Sequence, residues 1–207
     1  MNGSLAYVQR SIDAVVRLAL RDTGALSRLD LTADGFFLSF TAMIVGAPLF
    51  ATALAGWRYT LISVVTQSGH KLEAADVEFG PVHFALAVLM YLLLWSVFPV
   101  AALLMLRFLR QTERYSALII AFNWSAVLLL LLFNVPFVLF ALGAIDGFVT
   151  FAILFTIFGF ALYYRFFLAG ATLQSDSSTA MAIAAVNVIL FFFIIFGVDA
   201  LGGLLSG

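Results

Sequence analysis

Five runs of almost uncharged, apolar residues constrain this chain more than any other feature of its sequence. The runs lie at about 36–57, 82–106, 117–142, 148–164 and 181–198. A hydrocarbon core of about 30 Å is crossed by roughly 20 apolar residues of α-helix. Because 64% of the 207 residues are hydrophobic and only 10% are charged, a water-soluble globule could not hide this apolar surface. The sequence therefore predicts an all-α fold, a polytopic transmembrane helical bundle of about five spans.

The basic residues predict the orientation of the bundle. With the N-terminus inside, the outer segments hold only Arg58 and Lys71, whereas the inner segments hold eight arginines, namely Arg10, Arg17, Arg21, Arg28, Arg107, Arg110, Arg114 and Arg165. Positive charge accumulates on the cytoplasmic side of membrane proteins, so we expect a cytoplasmic N-terminus and an outer C-terminus. The first 21 residues do not resemble a signal peptide, since their charges are evenly spread. Together with the compact loops, these features fit a bacterial inner (cytoplasmic) membrane.

The segment before the first span predicts an amphipathic helix over residues 4–21. Its apolar residues recur at helical spacing, and its charged residues form another stripe; the two sets are Leu5, Val8, Ile12, Val15, Ala19 and Arg10, Asp13, Arg17, Arg21. Such a helix suits the membrane–water interface, but it could equally dock on the cytoplasmic ends of the bundle. We therefore divide the chain into a cytoplasmic N-terminal segment, 1–35, and a five-helix transmembrane domain, 36–207.

Three asparagines are the most notable polar residues within the predicted spans. Asn123 and Asn134 are eleven residues apart and share one face of the third span. Asn187 lies in the fifth span at a depth similar to that of Asn123, so the two could hydrogen-bond across the helices. Such contacts most often hold helices together; the alternatives are a polar path for a solute or ion and a contact with another subunit.

The arginines of the inner segments are candidates for contact with anionic lipid headgroups. Arg10, Arg17 and Arg21 lie in the amphipathic helix, and the others, Arg107, Arg110 and Arg114, follow the second span at spacings of three and four. A basic cluster next to a membrane attracts anionic lipid by about 1 kcal/mol per residue. Alternatively, these arginines only fix topology. The net charge of −1 gives no sign of nucleic-acid binding.

No residue pattern predicts an active site, a cofactor or a metal. Cysteine is absent, no serine lies in a G-x-S-x-G turn, and no Gly-rich phosphate loop occurs. Histidines and carboxylates of the outer loop could bind a divalent metal, but their spacing matches no ligand pattern; they are His70, Glu73, Asp76, Glu78 and His83.

These observations favour a non-enzymatic membrane protein that acts as an adaptor, scaffold or membrane-organising factor. Its expected partners are membrane lipids and a protein partner or a second copy of the chain. One alternative is a small transporter or channel with a path lined by Asn123, Asn134 and Asn187. Another is an accessory subunit of a larger membrane complex, with the Phe-rich fourth and fifth helices against its neighbour.

The layout resembles that of the Yip family, small membrane proteins of the Rab-GTPase-interacting type, and its prokaryotic relatives. The shared features are a cytoplasmic N-terminal segment, five closely spaced spans and an outward C-terminus. The stretch DVEFGP, Asp76 to Pro81, is similar to the Asp-Leu-x-Gly-Pro stretch of that family. It differs by one extra residue and precedes the second span rather than the first. The resemblance implies an adaptor or membrane-organising role and carries over no functional residue.

Overall fold

The computed structural model describes residues 2–69 and 79–206, and within these ranges the chain forms helices and short turns without any strand. In chain order the helices are α1 (Asn2–Ala19), α2 (Ala33–Ser39), α3 (Thr41–Gln67), α4 (Pro81–Phe108), α5 (Tyr115–Ala141), α6 (Gly147–Leu173) and α7 (Ser177–Ser206). Two 3₁₀ turns, Thr23–Arg28 and Thr112–Arg114, precede α2 and α5.

Five segments are long and apolar enough to cross a membrane. They are α2 with α3, α4, α5 with its preceding turn, α6, and α7. The predicted all-α fold class, the number of spans and the N-terminal helix are therefore confirmed.

Local sequence explains where several helices begin and end. Thr32 caps α2, since its hydroxyl oxygen accepts the Gly35 N–H at 3.1 Å, and Asp146 caps α6 by accepting the Val149 N–H at 2.8 Å. Pro81 is the first residue of α4, where a missing N–H costs no helical hydrogen bond. Gln174 ends α6 in a left-handed conformation, with φ 51°.

Helix α5 forms the centre of the molecule. It packs on α1, α2, α3, α4 and α6, while α7 packs on α4 and α6. Along α5 both faces are covered, and Leu118, Ile119, Ile120, Ala121 and Trp124 are fully buried. Helices α4 to α7 thus form a four-helix ring, with α1, α2 and α3 on the other side of α5.

Three helices extend well beyond their predicted ends: α7 continues from the predicted 198 to Ser206, and α3 and α6 continue past an arginine. The first span was predicted to end at residue 57, yet α3 continues to Gln67, and the fourth was predicted to end at 164, yet α6 continues to Leu173. In both places an arginine follows the predicted end. Each arginine is accommodated within its helix, Arg58 over the ring of Phe79 and Arg165 against α5. The predicted loop 165–180 shrinks to three residues between α6 and α7.

The N-terminal helix forms over the predicted residues, and the face that it buries is turned away from the centre of the predicted apolar stripe: Val15 is buried, and Val8, Ile12 and Ala19 are only partly buried against the core. The residues of α1 that are buried are Tyr7, Ser11, Ala14, Val15 and Leu18, whereas Leu5, the first member of the predicted apolar stripe, is 65% exposed. The buried residues belong to the same core cluster as Trp124 and Tyr164 of the bundle. The N-terminal segment and the transmembrane helices therefore share one core.

Candidate functional site

A set of buried polar contacts fastens α1 to the bundle. The Tyr7 hydroxyl donates to the Gly35 carbonyl oxygen at 3.4 Å and accepts the Trp124 indole N–H at 3.3 Å. The two rings meet edge to face with centroids 5.6 Å apart, a favourable aromatic geometry. Burial raises the pKa of the Tyr7 hydroxyl above its ordinary value of 10.0, and the hydrogen bond with Trp124 only partly opposes this. Tyr7 is therefore a neutral link between α1, α2 and α5.

A second contact holds the C-terminal half of α1. The hydroxyl of Tyr164 in α6 donates to the Val15 carbonyl oxygen at 2.6 Å, and Ala14, Val15 and Leu18 are fully buried around it. The sequence left two placements of α1 open, the membrane–water interface and docking on the bundle. The structure shows docking on the bundle, through the buried face of α1.

The connection between α1 and α2 is ordered by Asp30. Its carboxylate accepts the backbone N–H and the hydroxyl of Thr32, at 3.1 and 2.6 Å. These two bonds hold the pKa of Asp30 below its ordinary value of 3.8. The same Thr32 caps α2, so the turn places Gly35 where Tyr7 reaches it.

Two of the three predicted asparagines face α2 and α3. Asn123 donates to the Ser39 hydroxyl at 2.9 Å, and both side chains are buried. Asn134 donates to the carbonyl oxygens of Leu49 at 2.9 Å and Leu130 at 2.7 Å. The two asparagines therefore do lie on one side of α5, as their spacing predicts, and both are bonded to neighbouring helices.

Asn187 lies on the other side of α5 and does not pair with Asn123. In the described part of the chain the Asn123 amide donates to Ser39 instead, and half-buried Asn187 makes no hydrogen bond. The prediction of a contact between the two amides was wrong, because equal depth in two helices does not place them on facing sides. The three asparagines consequently do not line a common path.

The unexpected feature is Arg165, which the sequence places in a loop and the structure places inside α6. One terminal nitrogen, Nη1, donates to the Phe122 carbonyl oxygen at 2.9 Å and to the Ser125 hydroxyl at 2.7 Å. The guanidinium carbon lies 4.5 Å from the centroid of the Phe122 ring, whose other face stacks on Phe98 at 4.8 Å. A guanidinium stacked on an aromatic ring is favourable.

No acid neutralises Arg165 within the described ranges. The ion pairs there join Asp13 to Arg17 at 3.1 Å and to Arg28 at 2.7 Å. An arginine in a membrane-spanning helix costs up to about 3 kcal/mol at the bilayer centre and less near the ends, so such residues usually mark a functional site. The sequence does hold a signal for it, because the apolar run FFLAGATL continues directly after Arg165.

The six arginines predicted to meet lipid lie outside the core and divide into distinct environments. Arg10, Arg107 and Arg110 are exposed, and the pairing of Arg17 with Asp13 is a surface contact of small energetic value. Arg21 lies over the rings of Tyr163 and Phe167, at 5.4 and 5.8 Å. Arg114 donates to the Gln174 side-chain oxygen at 2.7 Å and so links the turn before α5 to the end of α6.

Two open grooves mark the surface of the bundle. One, of about 480 Å³, lies on α7 and is lined by Ile189, Phe192, Phe193, Phe196 and Gly197. The other, of about 210 Å³, lies where the turn after α1 meets α6 and α7, and its lining includes Thr23, Phe167 and Ser177. Both are surface features and neither leads along the asparagines.

The outer-loop residues considered for a metal lie mostly outside the described part of the chain, since His70, Glu73, Asp76 and Glu78 are not described. His83 is in α4, and its ring stacks on Phe79 at 5.9 Å. Within residues 2–69 and 79–206, no three metal-binding side chains come together.

Comparison with known proteins returns no matching family model, no similar curated protein and no similar solved structure. The resemblance to the Yip family therefore stays a prediction, and the stretch that suggested it is described only from Phe79 onward.

Proposed function

We propose that this chain is a non-enzymatic integral membrane protein that binds a protein partner or lipid through the outward face of α1, and so acts as an adaptor or membrane-organising factor. The observation that carries the proposal is the second apolar face of α1. Leu5, Val16 and Leu20 are 65%, 38% and 77% exposed, and at 100° per residue they lie opposite the buried Leu18.

The outward face of α1 has the composition of a binding surface. The apolar residues lie beside a cationic stripe of Arg10 and Arg17, and Arg17 is braced by Asp13. An apolar face next to arginines suits both the headgroup region of a membrane and an amphipathic partner. Because α1 is already fixed by its other face, binding would cost little additional ordering of the helix.

The topology we propose places this surface in the cytoplasm of a bacterial cell, at the inner membrane. The excess of basic residues on the N-terminal side supports this orientation. Arg165, although inside α6, lies toward the same end of the bundle as α1, because its neighbour Tyr164 bonds to Val15. The proposed orientation is therefore unchanged by the extension of α6.

The experiment is a purification of the tagged protein from its native membrane in mild detergent, with mass spectrometry of the protein and lipid that accompany it. The test variant is Leu5→Ser, Val16→Ser and Leu20→Ser together, because none of these side chains is buried in the bundle. Phe108→Ser is the matched control, an 89% exposed apolar residue at the end of α4.

We expect a companion, protein or lipid, that accompanies the wild type and the Phe108→Ser variant and is lost from the triple variant. Retention of the same companion in the same amount by the triple variant would contradict the proposal. Deletion of the whole helix is a poorer test, because it also removes Ala14, Val15 and Leu18 from the core.

A further inference from the structure

Arg165 is a cation with unused hydrogen-bonding capacity. The guanidinium group has five N–H donors, and Nη1 donates all the hydrogen bonds that the group forms with described residues. The side chain always carries its charge, and no carboxylate of the described residues reaches it. The other N–H donors of this group are therefore available to an acceptor from outside the described residues.

The depth of Arg165 identifies where such an anion would come from. Arg165 stands eight residues before the end of the 27-residue helix α6, which is about 12 Å along its axis. About 20 residues cross the hydrocarbon core, so a crossing that begins at Gly147, the first residue of α6, leaves roughly seven residues beyond it at the C-terminal end. Arg165 thus lies close to the boundary of the hydrocarbon, at the level where Tyr164 meets α1.

The surroundings of Arg165 offer further polar groups. Ser125 orients the guanidinium group, since its oxygen accepts from Arg165 at 2.7 Å while its own O–H donates to the Phe122 carbonyl oxygen at 2.9 Å. Asn187 lies at nearly the same depth, because the pairing of α6 with α7 brings Gly170 beside Ala180 and Phe158 beside Phe192, which sets Asn187 level with residue 163. It continues the helical stripe of buried Ile183 and Ile194, and so faces the inside of the four-helix ring.

We propose that Arg165, with Ser125 beside it and Asn187 at the same level, forms an oxyanion site that holds the phosphate of a phospholipid from the cytoplasmic leaflet. A guanidinium group binds phosphate through paired, charge-assisted hydrogen bonds. Phospholipids supply phosphate at this depth in the membrane, and basic sites between transmembrane helices on the cytoplasmic side bind anionic headgroups. The site lies on different helices from the outward face of α1, so it does not depend on partner binding by that face; the assignment to the cytoplasmic leaflet rests on the orientation proposed above.

The test is native mass spectrometry of the whole chain in mild detergent, titrated with phosphatidylglycerol. We compare the wild type with Arg165→Gln and with the control Arg28→Gln, which removes an exposed arginine at the same end of the bundle that is not among the predicted lipid contacts. We expect about one tightly held phospholipid per chain in the wild type and in the control. Removing a charged hydrogen-bond donor should weaken retention in Arg165→Gln by about 10- to 100-fold.

A conservative variant covers the case in which Arg165→Gln does not fold. Arg165→Lys keeps the charge but loses the planar fork, and we expect it to bind phosphatidylglycerol more weakly than the wild type does. Equal retention by the wild type and a folded Arg165→Lys or Arg165→Gln variant would overturn the proposal. Release of the lipid by inorganic phosphate alone, with phosphate bound in its place, would show a site for a free anion and would also overturn it.

Discussion

Replacement of Leu18 by Ala tests whether protein packing or lipid holds α1 in place. Leu18 is fully buried against the bundle, whereas Leu20, two residues further along and just past the end of α1, is 77% exposed. The same substitution at Leu20 is therefore a matched control in the same turn of the chain, since the Leu20 N–H still bonds to the Val16 carbonyl oxygen at 3.2 Å. We expect Leu18→Ala to promote the release of α1 while the transmembrane helices stay folded.

The expected loss follows from the atoms removed. Leucine to alanine deletes three carbon groups, at about 0.8 kcal/mol each, so release into water should become easier by about 2–3 kcal/mol, and more if a cavity remains. If α1 is released into lipid instead, the deleted groups stay in an apolar medium and only packing is lost. The loss is then smaller.

Hydrogen exchange of the α1 amides, measured by mass spectrometry in mild detergent, reports this opening directly. A loss of about 2–3 kcal/mol corresponds to exchange faster by about 30- to 150-fold. Leu20→Ala should leave the exchange unchanged. Equal acceleration by the two substitutions, or none in Leu18→Ala, would refute the docking of α1 by its buried face.

Two further predictions concern the helix packing and the link between α1 and the bundle. Gly56→Ala should lower the melting temperature, because a Cβ there would lie 2.6 Å from the Phe137 Cβ, an overpacking that costs about 1–3 kcal/mol. The control Gly159→Ala, where nothing lies within 4 Å of the added Cβ, should leave the melting temperature unchanged or raise it. Equal effects of the two substitutions would contradict the close contact of α3 with α5 at Gly56. Burial raises the pKa of the Tyr7 hydroxyl above 10.0. The stabilisation of docked α1 by this hydroxyl should therefore be complete below pH 10 and should fall as the pH rises from 10 toward the pKa of Tyr7 in the folded protein. Protease sensitivity of α1 should therefore rise over this range in the wild type but not in Tyr7→Phe, and an identical pH dependence would contradict the buried hydroxyl.

The membrane architecture was predictable from the sequence because a bilayer imposes it on each helix separately. The length of an apolar run must match the thickness of the hydrocarbon, so the five spans are visible without knowledge of how they pack. The same holds for caps and starts of helices, such as Thr32 and Pro81, which depend on neighbours in the sequence. The ends of α3 and α6 were predicted too early, at Arg58 and Arg165, because the free-energy cost of a charge in a helix depends on the side chains that surround it in the folded protein.

The partners of the polar side chains and the buried face of α1 were decided by the tertiary structure alone. Asn123 bonds to Ser39 across 84 residues of sequence, and Arg165 bonds to Ser125 across 40. The face of α1 could not be chosen from its pattern, because both lipid and protein interior favour apolar residues and α1 carries two apolar faces. The side chains of neighbouring helices, Trp124 and Tyr164 among them, determine which of the two faces is buried.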